Sequence, residues 1–326
     1  MEEKIYASLA PMAGYTDTVF RRICGSFGAT EATSEMISAV ALTYGDEKTG
    51  KIAKISDGEP PTRLQIFGHD ADIMARAAEI LLTGSFPGCS YAAPPCGIDI
   101  NMGCPVRKVC SSGDGSALMS DIPLAGRIVS AVKNVCEKHG VELSVKFRLG
   151  INDREIVATE FAVAMAESGA DMLTLHCRTK EQMYMPSARR EYCRTVRDTL
   201  DEAGFGGVPL IGNGDVQTRA DAEEYISLGC SGVAIGRAAL GDPWLFSAIS
   251  EPETYAPPTI EERVEMIEKY VSEVIGELGE ERGIRESRSR AAYLLRGVRG
   301  GAKVRDALNR EETLRGFIEE LEKILR

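Results

Sequence analysis

Residues Asp99–Leu118 read DINMGCPVRKVCSSGDGSAL. The apolar run Ile98-Asp99-Ile100-Asn101 gives way to a loop carrying Cys104 against Pro105, the basic pair Arg107-Lys108, and Gly113 and Gly115. A strand end that delivers an amide, a thiol and cations to one spot has the make-up of an active site. The pattern recurs: short apolar runs end in Pro11-Met12, Glu35, Gln65, Asn101, Lys146, His176, Asn213 and Gly236-Arg237. Strands are expected near 7–9, 29–33, 63–66, 97–101, 143–147, 172–175, 209–211 and 232–235. Amphipathic stretches at 70–82, 123–137, 155–168 and 219–228 lie between them. Strict β/α alternation implies a parallel sheet. Eight units over roughly 250 residues fit a closed (β/α)8 TIM barrel, whose active site forms at the C-terminal strand ends. An open sheet would not bring all eight polar ends to one mouth.

Length and composition extend this reading. A chain of 326 residues has room for one large and one small domain. Pro252, Pro257 and Pro258 interrupt the pattern and mark a linker. Beyond it the pattern is purely helical, at 259–278, 286–296, 302–308 and 312–325. The expected division is a barrel over 1–250 and a small all-helical domain over 256–326. Thr259 followed by Glu261 and Glu262 suits a helix start. No apolar stretch is long enough for a bilayer, and the N-terminal residues lack a signal-peptide pattern. Nine cysteines without regular spacing point to free thiols in a reducing, cytoplasmic setting.

The net charge of −11 argues against a wholly electrostatic nucleic-acid binder. Between Arg282 and Arg310, however, nine Lys or Arg face only Glu286 and Asp306, a local +7 on a body carrying −18. Such an island marks RNA contact or, alternatively, a solvated helix with internal ion pairs. The loops after strands seven and eight carry Ile211-Gly212-Asn213-Gly214-Asp215 and Ala234-Ile235-Gly236-Arg237. Barrels often hold phosphate there. Glycines admit backbone N–H groups and an arginine adds a charged fork. No dinucleotide fingerprint or P-loop is present.

The segment around Cys104 resembles the signature of the tRNA-dihydrouridine synthases, roughly D-I-N-x-G-C-P-x-x-K-V followed by G-x-G-x-x-L. APMAGYTDTVFR, LQIFG, VKFRLG, LHCRT, IGNGDV and AIGRAALGDPWLF match in order, and YLLRGVRGGAKVR looks like the family's basic helical motif. The resemblance implies FMN-dependent reduction of tRNA uridines, with NADPH (or NADH) as reductant and tRNA as partner. It makes Cys104 the proton donor. A thiol suits that task, because an unperturbed cysteine is mostly protonated at pH 7. It also implies that Gln65, Lys146 and His176 meet the flavin ring, that Pro11, Met12 and Ala13 pack along it, and that Asn213, Gly214, Asp215, Gly236 and Arg237 hold its phosphate. Expected substrate contacts are Asn101, Lys108, Arg178, Tyr184, Arg288, Arg290 and Arg299. For Asn101 the alternative is an Asx turn closing the strand. Arg148 reads equally as a site residue or a surface ion pair. His69 and His139 read as ordinary surface residues, and no metal is expected.

Two departures stand out. Where the family usually has Q-x-Y-x-G-x-A-x-W, this chain has Pro186 for the glycine and Arg190 for the tryptophan. An insertion at 84–96 brings Cys89 and Cys96 into play, yet without the tight C-x-x-C of iron–sulfur frameworks. Two other functions fit parts of the pattern. One is an FMN barrel acting on a small unsaturated carbonyl compound, which would not need the basic helices. The other is a non-enzymatic RNA-binding protein, which would not need Cys104 or Lys146.

Overall fold

The computed structural model describes residues 4–325. Eight parallel strands form a ring: β1 (Tyr6–Leu9), β2 (Glu31–Thr33), β3 (Thr62–Phe67), β4 (Gly97–Met102), β5 (Glu142–Arg148), β6 (Met172–His176), β7 (Leu210–Asn213) and β8 (Gly232–Ile235). Neighbours pair in chain order, and β1 closes on β8. The (β/α)8 barrel expected from the alternation is therefore present. Helices α1 (Thr18–Ser26), α2 (Ala71–Thr83), α3 (Ile122–His139), α4 (Ala158–Glu167), α5 (Tyr192–Glu202) and α6 (Arg219–Ser227) connect the strands, and α7 (Arg237–Gly241) follows β8. Among the described residues no helix is long and apolar enough to cross a membrane.

Alternation along each strand separates two environments. Leu64, Ile66, Ile98, Ile100, Val145, Phe147, Val233 and Ile235 belong to the large apolar core shared with the helices. Ala10, Ile211 and Ala234 form a second, much smaller cluster with Tyr6 and Met172. The other buried strand residues include an unusual number of polar ones. Near the N-terminal strand ends, Arg63 pairs with Glu31 and with Glu142, the latter at 2.6 Å. Further along, Asp99 accepts from Ser144 Oγ (2.5 Å) and Gln65 Nε2 (2.7 Å).

Two expectations change. The insertion is not a bare loop: Ser90–Tyr91 pairs in parallel with Lys54–Ile55. Cys96 precedes β4, its amide bonded to Thr62 O, so it lies at the strand end opposite Cys104. Among the described residues no cluster of metal-ligating side chains forms, and all nine cysteines are free thiols. The C-terminal region is helical, with α8 (Ile260–Leu278), α9 (Glu280–Leu294), α10 (Gly301–Leu308) and α11 (Leu314–Leu321). Helix α9 starts at Glu280 rather than near 286, immediately after Gly279. Gly283 lets α8 and α9 approach closely, since a Cβ there would come within 2.8 Å of Ile275 Cα.

The basic island is corrected most. Arg290, expected at the RNA surface, is 1% exposed. Its guanidinium carbon lies 3.6 Å from the Phe20 ring centroid, 5.3 Å from Tyr15 and 5.4 Å from Tyr270. It donates to Tyr15 O and sits 3.6 Å from the Asp17 carboxylate. Arg290 therefore clamps α9 to the loop after β1 and cannot reach a phosphate. Arg288, also expected to contact RNA, is half-buried and donates to Glu311 O (2.6 Å). Arg282 pairs with Glu286 and Arg310 with Asp306, each four residues apart. What remains exposed, with no carboxylate partner among the described residues, is Arg285, Arg296, Arg299 and Lys303. Arg290→Ala is expected to cost about 2–5 kcal/mol of stability, as a large-to-small change in a packed site does. Arg299→Ala should stay within about 0.5 kcal/mol; urea denaturation of both variants checks this.

Candidate active site

The C-terminal strand ends open into a cleft of about 1240 Å³. Its lining brings together Pro11, Met12 and Ala13 after β1, Gln65 on β3, Asn101 and Cys104 at the end of β4, and Lys146 on β5. It continues through His176, Arg178 and Tyr184, then Asn213, Gly214 and Asp215, and finally Gly236 and Arg237. Lys146 and Cys104 therefore share one cavity, as strand pairing requires, because Asn101 and Lys146 are register partners. Three expected substrate contacts fall outside the cleft lining besides Arg290. Lys108 and Arg299 are exposed and Arg288 is half-buried.

The Cys104 loop hangs on side chains. Asn101 Oδ1 accepts from the amides of Gly103 (3.2 Å) and Cys104 (2.9 Å). Its Nδ2 donates to Gln65 Oε1 (2.9 Å), and Gln65 in turn donates to Asp99. Asn101 thus makes the Asx turn, and both ends of its amide are taken up by the protein. Cys104 O accepts from Ser116 N (3.1 Å), Ser116 Oγ (2.9 Å) and Cys110 Sγ (3.2 Å). Gly115, at φ +60°, sits where a side chain would be strained, and a Cβ would press on Cys104 O at 3.0 Å. Burial raises the Cys104 pKa, with the Val106 amide opposing it. The thiol therefore keeps its proton at neutral pH, as an acid must.

The facing wall is cationic. Lys146 Nζ donates to Asn213 Oδ1 (2.9 Å) and has no carboxylate within ion-pair range among the described residues. Burial, then the neighbouring Arg148, lowers its pKa to about 8. Arg148 is not a surface ion pair: it is 3% exposed. It donates to the carbonyls of Gly103 (2.7 Å), Thr179 (3.0 Å) and Met183 (3.1 Å). Burial lowers the Arg148 pKa to about 10. Burial and the cations Arg148, Lys146, Arg178 and Arg237 hold His176 well below its ordinary pKa, so the ring is neutral. Arg178 Nη1 donates to His176 Nε2 (3.4 Å), which leaves Nδ1 protonated.

Asp215 is the acid that two of these cations share. Arg178 and Arg237 pair with it, the latter at 3.3 Å, and the Ala188 amide donates to it at 2.9 Å. Burial works against this carboxylate, yet the Ala188 amide and Arg178 hold its pKa below the usual range. The Arg237 guanidinium also lies 4.5 Å from the Tyr184 ring centroid. Among the described residues, the amides of Gly214, Asp215, Val216 and Gly236 donate to nothing. All four residues line the cleft.

A dihydrouridine synthase family model matches residues 8–326. The chain belongs to the dihydrouridine synthase family. A probable tRNA-dihydrouridine synthase of Mycobacterium tuberculosis (strain H37Rv) is 33% identical, over 92% of this chain and 77% of that protein. One from Mycobacterium leprae is 30% identical, over 94% and 84%. One from Aquifex aeolicus is 28% identical, over 96% and 94%.

Sequence reasoning missed Asp99 as the root of the polar chain; it left Arg148 open between two readings, and the structure makes it the staple between the thiol loop and the 179–183 loop. It also missed Arg263, Tyr293 and Arg296, which the helical region contributes to the cleft. The signal for Arg148 was its place two residues after Lys146, on the same face of the strand. The raised Cys104 pKa has a direct consequence. Its alkylation by iodoacetamide, mapped by mass spectrometry, should be slow at pH 7, with a midpoint above the ~8.5 of a free cysteine. A midpoint at or below that value contradicts the protonated thiol.

Proposed function

We propose that this chain reduces particular uridines of tRNA to 5,6-dihydrouridine in the cytoplasm. FMN is the bound cofactor and NADPH, or NADH, the reductant. One observation carries the reading: a protonated thiol, Cys104, stands on a braced loop at the edge of a cation-lined cleft. The residues fit FMN. Unbonded amides at Gly214, Asp215, Val216 and Gly236, with Arg237 beside them, support a terminal phosphate. Lys146, a cation that burial disfavours and that has no ion-paired carboxylate among the described residues, supports a ring that becomes anionic on reduction. Gln65, His176 and the Pro11–Ala13 backbone complete the ring pocket.

When bound, the flavin supplies the hydride that uracil C6 accepts. Cys104 Sγ gives its proton to C5, which completes the saturated bond. Asn101, Ser116 and Arg148 hold the thiol loop so that this proton has a fixed position. The uridine leaves its stack to enter the cleft, and Tyr184, backed by Arg237, offers a base a flat face. Arg178 ties the 186–188 segment to the Asp215 loop and keeps that side of the mouth in shape. Residues 256–326 are the part that grips tRNA, through Arg296, Arg299 and Lys303 rather than Arg288 and Arg290.

Two outcomes are expected. Cys104→Ala should retain bound flavin, seen as yellow colour, while dihydrouridine formation falls by about 10²-fold or more; undiminished product would refute the acid role. The triple variant Arg296→Ala, Arg299→Ala, Lys303→Ala should bind tRNA more weakly. Its log–log slope against salt should be shallower by about two to three charges. An identical slope removes these residues from the interface.

A further inference from the structure

We propose that Arg190, together with Tyr225, is a positioning residue that turns the amides of the Gly214–Val216 loop toward the flavin phosphate. The inference rests on the cofactor reading above and concerns a position where the family pattern carries tryptophan. Arg190 stands at the start of α5, outside the barrel. Its Nη2 donates to Asp215 O (2.7 Å) and to Asp221 Oδ1 (2.7 Å), and its Nη1 contacts the Glu224 carboxylate. The guanidinium carbon lies 5.3 Å from the centroid of the Tyr225 ring. Tyr225, fully buried, donates through its hydroxyl to Gly214 O (2.8 Å). Consecutive carbonyls of the loop are thus drawn to the same pair of stacked side chains.

Peptide planarity converts this into a direction for the donors. In a trans peptide the C=O and the following N–H point opposite ways. Gly214 O is held by Tyr225, so the Asp215 N–H points away from Tyr225. Asp215 O is held by Arg190, so the Val216 N–H points away from Arg190. These are two of the amides without partners, and both residues line the cleft. The loop needs such restraint. Asp215 sits at φ +51°, which a non-glycine residue rarely adopts unaided. Gly212 makes room for the anchor, since a Cβ there would come 2.1 Å from the Tyr225 ring. Arg190 is itself fixed by Asp221, which caps α6 through Thr218 and accepts from the amides of Gln217 and Thr218. The anion loop is therefore indexed to the frame of α5 and α6.

The test compares two flavins that share one ring and differ by a phosphate. Full-length protein is stripped of flavin, and FMN and riboflavin affinities are measured by fluorescence titration for wild type, Arg190→Gln and Tyr225→Phe. Misdirecting two amides that bond a charged phosphate should weaken FMN binding roughly ten- to hundredfold. Riboflavin affinity should stay within about twofold. Tyr225→Phe removes one hydroxyl from an intact ring, so it should show the same selective loss if Arg190→Gln folds poorly. Equal losses for both flavins would overturn the inference, since the two residues would then merely support the fold. Wild-type FMN affinity in both variants also overturns it, while leaving the cofactor reading intact. A wild type that binds neither flavin overturns the cofactor reading, and this inference with it.

Discussion

Four register pairs, from Tyr6 with Gly232 to Leu9 with Ile235, join the first strand of the barrel to the last. The junction is close: a Cβ on Gly232 would come 2.6 Å from Tyr6. Because the ladder closes, the loops after β7 and β8 face the Pro11–Ala13 turn across one cleft instead of lying at opposite edges of a sheet. Near the other end Arg63 on β3 pairs with Glu31 on the neighbouring β2 and, past β4, with Glu142 on β5. Removing one partner of the buried Arg63–Glu31 pair is strongly destabilising. Ionic contacts near one end thus stabilise the frame, while the other end is free to carry chemistry.

At that mouth the charges are held in mutual tension. Lys146, Arg148, Arg178 and Arg237 all act on His176, and Asp215 alone is shared directly by two of them. Arg148 is satisfied by carbonyls rather than by an acid. The protein tolerates this because each cation is hydrogen-bonded, yet the excess remains. An anionic group entering the cleft relieves it. The cationic wall and the protonated thiol serve different needs, and Arg148 ties the two together.

Much of this was visible in the residues. The strands were legible because short apolar or β-branched runs ended at residues that a buried strand would not otherwise carry, such as Gln65, Lys146 or His176. The cleft followed from the barrel's geometry. Other features were not legible. Arg290 sits in a run of cations, and only three-dimensional packing reveals that three rings enclose it. Asn101 could face a base or its own backbone, and only the hydrogen bonds of Gly103 and Cys104 reveal the backbone contact. The Arg282–Glu286 and Arg310–Asp306 spacings were present in the sequence, but the island's net charge hid them. The start of α9 was obscured because its first turn carries Gly283 among charged residues, a weak helical pattern.

The Arg290 cage has a consequence for recognition. Its rings come from Tyr15 and Phe20 on one side and Tyr270 on the other, and Tyr15 meets Tyr293 edge to face at 5.8 Å. The helical arm and the rim of the cleft are thus joined like the jaws of a calliper, with a set span between them. In the proposed function, a molecule seated on that arm would present to Cys104 whichever nucleotide lies at that span. Selection among chemically identical uridines would then be a matter of measured distance, and altering the hinge of the calliper rather than the rim is how such a choice would change.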